Sequence, residues 1–435
     1  MERYDVVVVG ARCAGSPLAA MLARRGLRVC VLDRARFPSD SPSTHVVQPC
    51  GVAVLRRLGV LEAVLAAGAV PLGLFTLVNE DVRIDARVPD PGLCVRRVTL
   101  DALLLQAAST AGAEVRTGTA VTGLLSGGGR VVGVQSRHGP VRARLVVGAD
   151  GHHSAVARLT GAEEYHVAPA GRLPTWAYFQ GVADTEGRLR IGRLGDLAFL
   201  ASPTDGGLYL AGIAPDAAGK DAFLADRERA FTAGLAGWPE LADLLAGATR
   251  VGPIRTVPDW YGYFRVATGP GWVLTGDAGH AKDPTPAQGI SDALRHAERL
   301  TVAIHDGLND TTAALDTTLR RWWRWRDEDC YPMHCFATDM GAPGRSTPLI
   351  TQVLRDIAAD DTATAKLLQV LNREIQPTQL FTATRLALAA ARTLRRRPRH
   401  LPALTAEITT ALRQELRRAT ARRHSPASYR AGQPK

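Results

Sequence analysis

Apolar and polar positions alternate in a way that predicts discrete elements from the start of the chain. Asp5 to Val9 is almost wholly valine, which suits a parallel strand covered on both faces. A glycine turn and a helical stripe of Ala19, Leu22 and Ala23 follow, then a second strand in LRVCVLDR. The segment from Val52 to Gly68 reads as helix. The period then changes: LGLFTLVN and DVRIDARV predict two strands of a hairpin around Glu80 and Asp81. Helical spacing returns from Leu100 to Ala111, and three strands follow up to Asp150. A second strand-rich block spans about 175–213, helices follow over 221–246, and beyond GWVLTGD the chain is mainly helical.

This order is not one continuous strand–helix repeat. It predicts an α/β protein in which a Rossmann-like nucleotide-binding domain (1–70, 97–160 and 265–310) is interleaved with a β-sheet substrate domain (71–96 and 161–264). A helical C-terminal region with a basic tail (311–435) completes the chain. Composition agrees with an ordinary globular protein: 46% of the 435 residues are apolar and 22% charged. Net charge is +11, but residues 391–435 hold 12 basic and 2 acidic residues, so only +1 remains for residues 1–390. A general nucleic-acid-binding role thereby loses its main support. The tail helix TAEITTALRQELRRATARR sets Ile408, Leu412 and Leu416 four apart on one side. It is expected to dock with one face to solvent; contact with a carrier protein, an anionic surface or nucleic acid stays open.

The six cysteines form no C-x-x-C and no zinc-like ladder, so no metal site is expected. Cys330 and Cys335, near His334, read as packing thiols, with redox or metal use as the alternative. No signal peptide precedes Asp5, which favours a reducing, cytoplasmic home. The best membrane candidate, Ala63 to Val78, has 16 uncharged residues interrupted by Gly68, Pro71 and Gly73, short of the roughly 20 a span requires.

Gly10-Ala11-Arg12-Cys13-Ala14-Gly15 lies where a dinucleotide fingerprint belongs, after a buried strand and at the opening of a helix. Gly10 allows the tight turn, Gly15 allows close packing, and the helix N-terminus offers free N–H groups to a pyrophosphate. Asp33, 23 residues beyond Gly10, can accept ribose hydroxyls, and Arg34 stands beside it. Arg12 replaces the middle glycine. It either crowds the pyrophosphate or lies over it as a counter-charge.

Two later segments, VVGADGHHSAVAR at 146–158 and GWVLTGDAGHAKDPTPAQGISDALRHAERL at 271–300, again place a Gly/Asp turn after an apolar strand. Together with the first turn, the chain over roughly 4–310 resembles the para-hydroxybenzoate-hydroxylase-like (group A) FAD-dependent monooxygenases, of the glutathione-reductase-type flavoprotein fold. The resemblance implies FAD contacts from Gly10, Gly15 and Asp33, a flavin-side arginine at Arg97, and a cofactor-binding Asp150. It further implies a ribityl contact from Asp277 and an isoalloxazine flanked by Pro284, Gly289 and Ile290. A helix beginning after Gly289 would aim N–H groups at the N1/C2 edge of a reduced flavin. The resemblance also implies NAD(P)H as co-substrate and capture of molecular oxygen as a C4a-hydroperoxide. The product would be a hydroxylated small molecule of secondary metabolism. His45 and His280 are the candidate catalytic groups, each weighed against simple packing. Trp176, Tyr178, Phe199, Tyr209 and Trp260 are candidates for an aromatic substrate pocket, against core packing. Few charges punctuate that block, which favours an aromatic or polyketide-like substrate. Flavin halogenases share the scaffold, but neither their lysine nor their W-x-W-x-I-P segment is found. The alternatives are an FAD-dependent reductase of conjugated or isoprenoid double bonds and, more distantly, a flavin-free binding protein using the basic tail.

Overall fold

A computed structural model describes residues 3–184, 186–396, 401–423 and 425–426. Its first layer is a sheet built on parallel pairing of Arg3–Val9 with Val29–Leu32 and with Gly139–Gly148. Trp272–Leu274 and Glu114–Arg116 extend it on either side, also in parallel. Val6, Val7 and Val8 are fully buried, as expected for a strand with helices on both faces. Helices Gly15–Ala23 and Gly289–Leu308 supply much of that cover and share one core with the sheet.

The second large sheet runs in the order Thr249–Thr256, Thr175–Gln180, Leu208–Ala214, Leu197–Thr204, Arg188–Leu194, Val70–Asn79, Val82–Cys94 and Val46–Val47. Val70–Asn79 and Val82–Cys94 form the hairpin that the sequence predicts around Glu80 and Asp81. Glu164–Pro169 and Tyr261–Arg265 do not join this sheet; with His280–Ala281 they form a separate three-stranded one.

The two faces of the large sheet have different fates. One carries Phe199, Tyr209 and Ala211 against Phe231, Leu235, Trp238 and Leu241 of the helices over 227–245. The other is covered at one end by the C-terminal helices, whose Leu349, Val353, Ile357 and Leu367 pack on Phe75, Leu77, Leu189 and Ile191. At its other end only a small cluster remains, centred on Trp176, Tyr178 and Leu210. That end borders the flavin-side residues described below.

The tryptophans of the long helix Thr312–Met340 do not cover the large second sheet. Trp322 and Trp323 join the core of the first sheet, and the Trp323 indole donates to the Tyr165 hydroxyl. The tail helix Leu401–Arg423 docks through buried Leu404 and an Arg418–Asp339 ion pair, while Leu412 and Leu416 face outward. Among the described residues no helix is long and apolar enough to cross a membrane.

Candidate functional site

The three glycine-containing turns converge because strands of one parallel sheet end together. Gly10 has φ +102°, and a β-carbon there would stand 2.3 Å from the Ala149 carbonyl oxygen. A β-carbon on Gly15 would lie 1.9 Å from the Gly10 oxygen, and one on Gly276 would meet Ala14 at 2.7 Å. Segments far apart in sequence therefore surround the start of helix Gly15–Ala23. That helix has no side-chain cap at Ala14, leaving first-turn N–H groups for an anion.

Asp33 is buried at the end of its strand, where it accepts the Ala11 and Ala35 N–H groups at 2.7 Å each. This fixes a carboxylate beside the turn with lone pairs still available to ribose hydroxyls. Arg34 next to it is exposed. Asp277 has no side-chain hydrogen bond among the described residues and is solvent-accessible. Desolvation by the surrounding protein pushes its carboxyl upward, against the downward pull of Arg97. Arg97 itself is buried and bound to fully buried Asp101. Despite desolvation, Asp101 keeps the Arg97 guanidinium firmly charged. Helix Gly289–Leu308 opens with Gly289 exposed and nothing within 4 Å of its β position. Gln288 before it is occupied elsewhere: its amide donates to the Leu371 carbonyl and accepts from Lys282. Pro284 is half-exposed and Ile290 buried beneath.

Two uncapped helix starts, a ribose-end carboxylate, an uncommitted Asp277 and a charged Arg97 fit an FAD stretched across the ends of the sheet. Residues 3–184 match the family model described as an FAD binding domain. The 6-methylpretetramide 4-monooxygenase of Streptomyces rimosus is 31% identical over 323 residues, covering 70% of this chain and 76% of that one. The chain belongs to the para-hydroxybenzoate-hydroxylase-like FAD-dependent monooxygenases. It is an FAD-dependent oxidoreductase. The family's scaffold also serves reductases: a menaquinone reductase of Mycolicibacterium smegmatis is 29% identical over 353 residues, covering 73% of this chain and 80% of that one. The fold matches a flavoprotein/dehydrogenase from Cytophaga hutchinsonii with a TM-score of 0.76 at 19% identity, over 90% of this chain and 98% of that one.

Several positions depart from what the family pattern implies. Arg12 does not extend over the turn as a free counter-charge. Its guanidinium pairs with Asp101 at 2.8 Å and binds the Ser39 hydroxyl and the Ser39 and Asp40 carbonyls. Arg12 is a clip between the first turn, the Arg97 helix and the loop after the second strand. Arg12→Gly is expected to leave FAD affinity within about threefold, by flavin fluorescence titration, since Arg97 still neutralises Asp101. A loss of tenfold or more would return Arg12 to the pyrophosphate.

Asp150 is likewise committed within the protein. It accepts from the Ser154 hydroxyl and the Ala155 and Val156 N–H groups, capping helix Ala155–Thr160. These bonds fix the Asp150 backbone against Gly10.

The aromatic candidates divide by sheet register. Trp176 pairs with Gly212 and Tyr178 with Leu210, while Tyr209 pairs with Phe179 one step out of phase. Phe199 and Tyr209 therefore lie on the helix-covered face and are core, not pocket. Trp260 precedes a strand of the small sheet, where its indole N–H is held by the Arg172 carbonyl. Trp176 and Tyr178 remain, and His45 joins them. His45 has a left-handed backbone (φ +62°), is fully buried, and its Nε2 lies 2.6 Å from the Tyr178 hydroxyl. Burial foremost, then the Arg97 charge, pulls the imidazole down to about 4. His45 is thus a buried, neutral imidazole joined to Tyr178.

His280 has a different setting. Its ring sits 4.3 Å from Phe264 and 5.6 Å from His334 by centroid, and burial holds it neutral. It is a packing histidine between the small sheet and the long helix. Cys330, 3.4 Å from His296, is likewise buried, and desolvation pushes its thiol up to about 12. The nearby Asp329 is taken by Arg295 and Arg373, so this group offers no cation site.

The sequence reading overlooked Asp101: the predicted helix opens only at Leu100, whereas the observed one begins at Arg97 and puts the two residues four apart on one face. Lys282 is buried and bound to Asp292, which Arg373 also holds. Despite burial, Arg373 and Lys282 keep Asp292 ionised far below the usual carboxylate range. Arg373 lies 81 residues further along, beyond the reach of local patterning.

Proposed function

We propose that this protein uses NAD(P)H and molecular oxygen to hydroxylate an aromatic or polyketide-like small molecule. The observation that carries this reading is the Trp176/Tyr178 wall, with buried His45 bonded to the Tyr178 hydroxyl and within the field of Arg97. The balance is substrate C–H plus O2 and NAD(P)H with a proton, giving C–OH, NAD(P)+ and water. When bound, FAD supplies the transfer of electrons to oxygen and of one oxygen atom to carbon. Asp33, Asp277 and the helix starts at Gly15 and Gly289 would hold it, and Arg97 would place a fixed positive charge at its flavin side. The apolar wall excludes water and orients a flat substrate. Neutral His45, with Nε2 accepting the Tyr178 O–H, leaves the phenolic lone pairs free to accept a hydrogen bond from a substrate hydroxyl, which orients it without moving the proton.

A reductase reading draws on the similarity to menaquinone reductase. The two separate cleanly in FAD-loaded protein supplied with NADPH and either 6-methylpretetramide or menaquinone. The expected result is faster NADPH oxidation with the polyketide, one O2 consumed per product, and a product heavier by one oxygen. Product formation under strict anaerobiosis would overturn the monooxygenase reading.

A further inference from the structure

A cavity of about 400 Å3 opens at the outer end of the Trp176/Tyr178 wall, between the loop over 40–42 and the edge strand Thr249–Thr256. Asp40, Pro42, Trp176, Arg227, Ile254 and Arg255 line it. Arg255 is the direct cross-strand neighbour of Trp176, so both side chains leave the sheet on the same face. Its guanidinium lies over the Tyr178 ring, 5.5 Å from the centroid. Arg227, at the start of the helix over 227–236, is exposed and has no carboxylate partner among the described residues. The cavity thus presents two guanidinium groups against one carboxylate, Asp40.

The Arg255–Asp40 pair, at 2.7 Å, is about one-third exposed on both sides. Such a pair is weak and easily exchanged. The loop that carries Asp40 does not depend on it, because Arg12 grips the same loop through the Ser39 hydroxyl and the Ser39 and Asp40 carbonyls. Arg255 can therefore change partner while the loop stays in place. We propose that Arg255, supported by Arg227, receives an anionic oxygen of the substrate, a carboxylate or an enolate, at the mouth of the cleft, displacing Asp40. The planar guanidinium suits a two-oxygen anion, and the aromatic wall beside it suits the ring system that bears it. This inference rests on reading the Trp176/Tyr178 wall as the substrate side. It narrows the substrate class to acidic aromatics.

The test measures binding to oxidised, FAD-loaded protein without reductant, so it is independent of whether oxygen is ever transferred. The probes are 2-naphthoate and its methyl ester, titrated by calorimetry and by the flavin difference spectrum at low salt and neutral pH. Wild-type protein is expected to bind the acid at least tenfold more tightly than the ester. Arg255→Gln should abolish that preference at unchanged FAD content, and Arg255→Lys should keep part of it. Asp40→Asn should tighten acid binding by removing the competing carboxylate, a gain that a merely structural pair would not give. The proposal is overturned if the acid shows no preference, if neither probe binds, if Arg255→Gln keeps the preference, or if Asp40→Asn weakens it. Failure of the oxygenase reading would appear separately, as product made without oxygen.

Discussion

Gly10→Ala is expected to yield protein that has lost FAD and about 2–5 kcal/mol of stability, from backbone strain plus overlap in a closed site. The added β-carbon has nowhere to go: it would stand 2.3 Å from the Ala149 oxygen and 2.9 Å from the Asp150 Cα. Both neighbours are backbone, and the Asp150 segment is fixed by its own helix cap. The turn must therefore move, and with it the N–H groups that face the cofactor. Gly26 provides the control, since it also has positive φ (+83°) but nothing within 4 Å of its β position. Gly26→Ala should show the conformational strain alone, roughly 1 kcal/mol. Thermal unfolding and flavin absorbance of the two purified variants decide the matter. Equal behaviour would mean that the close packing at Gly10 is not what holds the cofactor turn.

The same contrast explains how far the sequence could be read. Gly10, Gly15 and Asp33 were legible because a fingerprint is local: one strand, one turn and one helix contain it within a few dozen residues. The convergence of Ala149 and Gly276 on that turn was legible only by resemblance, since nothing in their own neighbourhoods states where they meet. Phe199 and Tyr209 show a different limit. Their alternation correctly marks strands, but which face looks at helices and which at the cleft is set by register with Leu208–Ala214 and by where distant helices dock. Arg12 failed for a third reason. Its position in the fingerprint suggested a ligand, while its real partners, Asp101 and Ser39, come from segments that the fold brings in from the side. His280 sits three residues beyond Asp277, yet the short strand it belongs to turns it into aromatic packing.

The buried histidines predict a steep loss of stability on mild acidification. His45 is held at about 4 and His334 at about 3, both chiefly by desolvation, and His280 is also held well below its ordinary value. In the unfolded chain such groups take up protons near pH 6.5. Between that value and their depressed folded values the unfolded state binds more protons, so stability falls as pH falls. Each group contributes about 1.4 kcal/mol per pH unit within its window. Asp283 works in the opposite direction: burial raises its carboxyl to about 6, so acidification below pH 6 favours the fold by a similar slope. His152, His166 and His296 are also held low, while Asp150, Asp277 and Glu407 are raised like Asp283, and the surplus of histidines leaves a net loss of about 2–5 kcal/mol between pH 6.5 and 5. Asp292 stays ionised across this range and does not enter. Urea unfolding at fixed, saturating FAD measures the profile without the confounding effect of changing ligand occupancy. His334→Gln should flatten the slope by about one group's share, because its neutral amide takes up no proton in either state. Stability that holds steady or rises from pH 6.5 to 5 would contradict the burial of neutral imidazoles from which the slope derives.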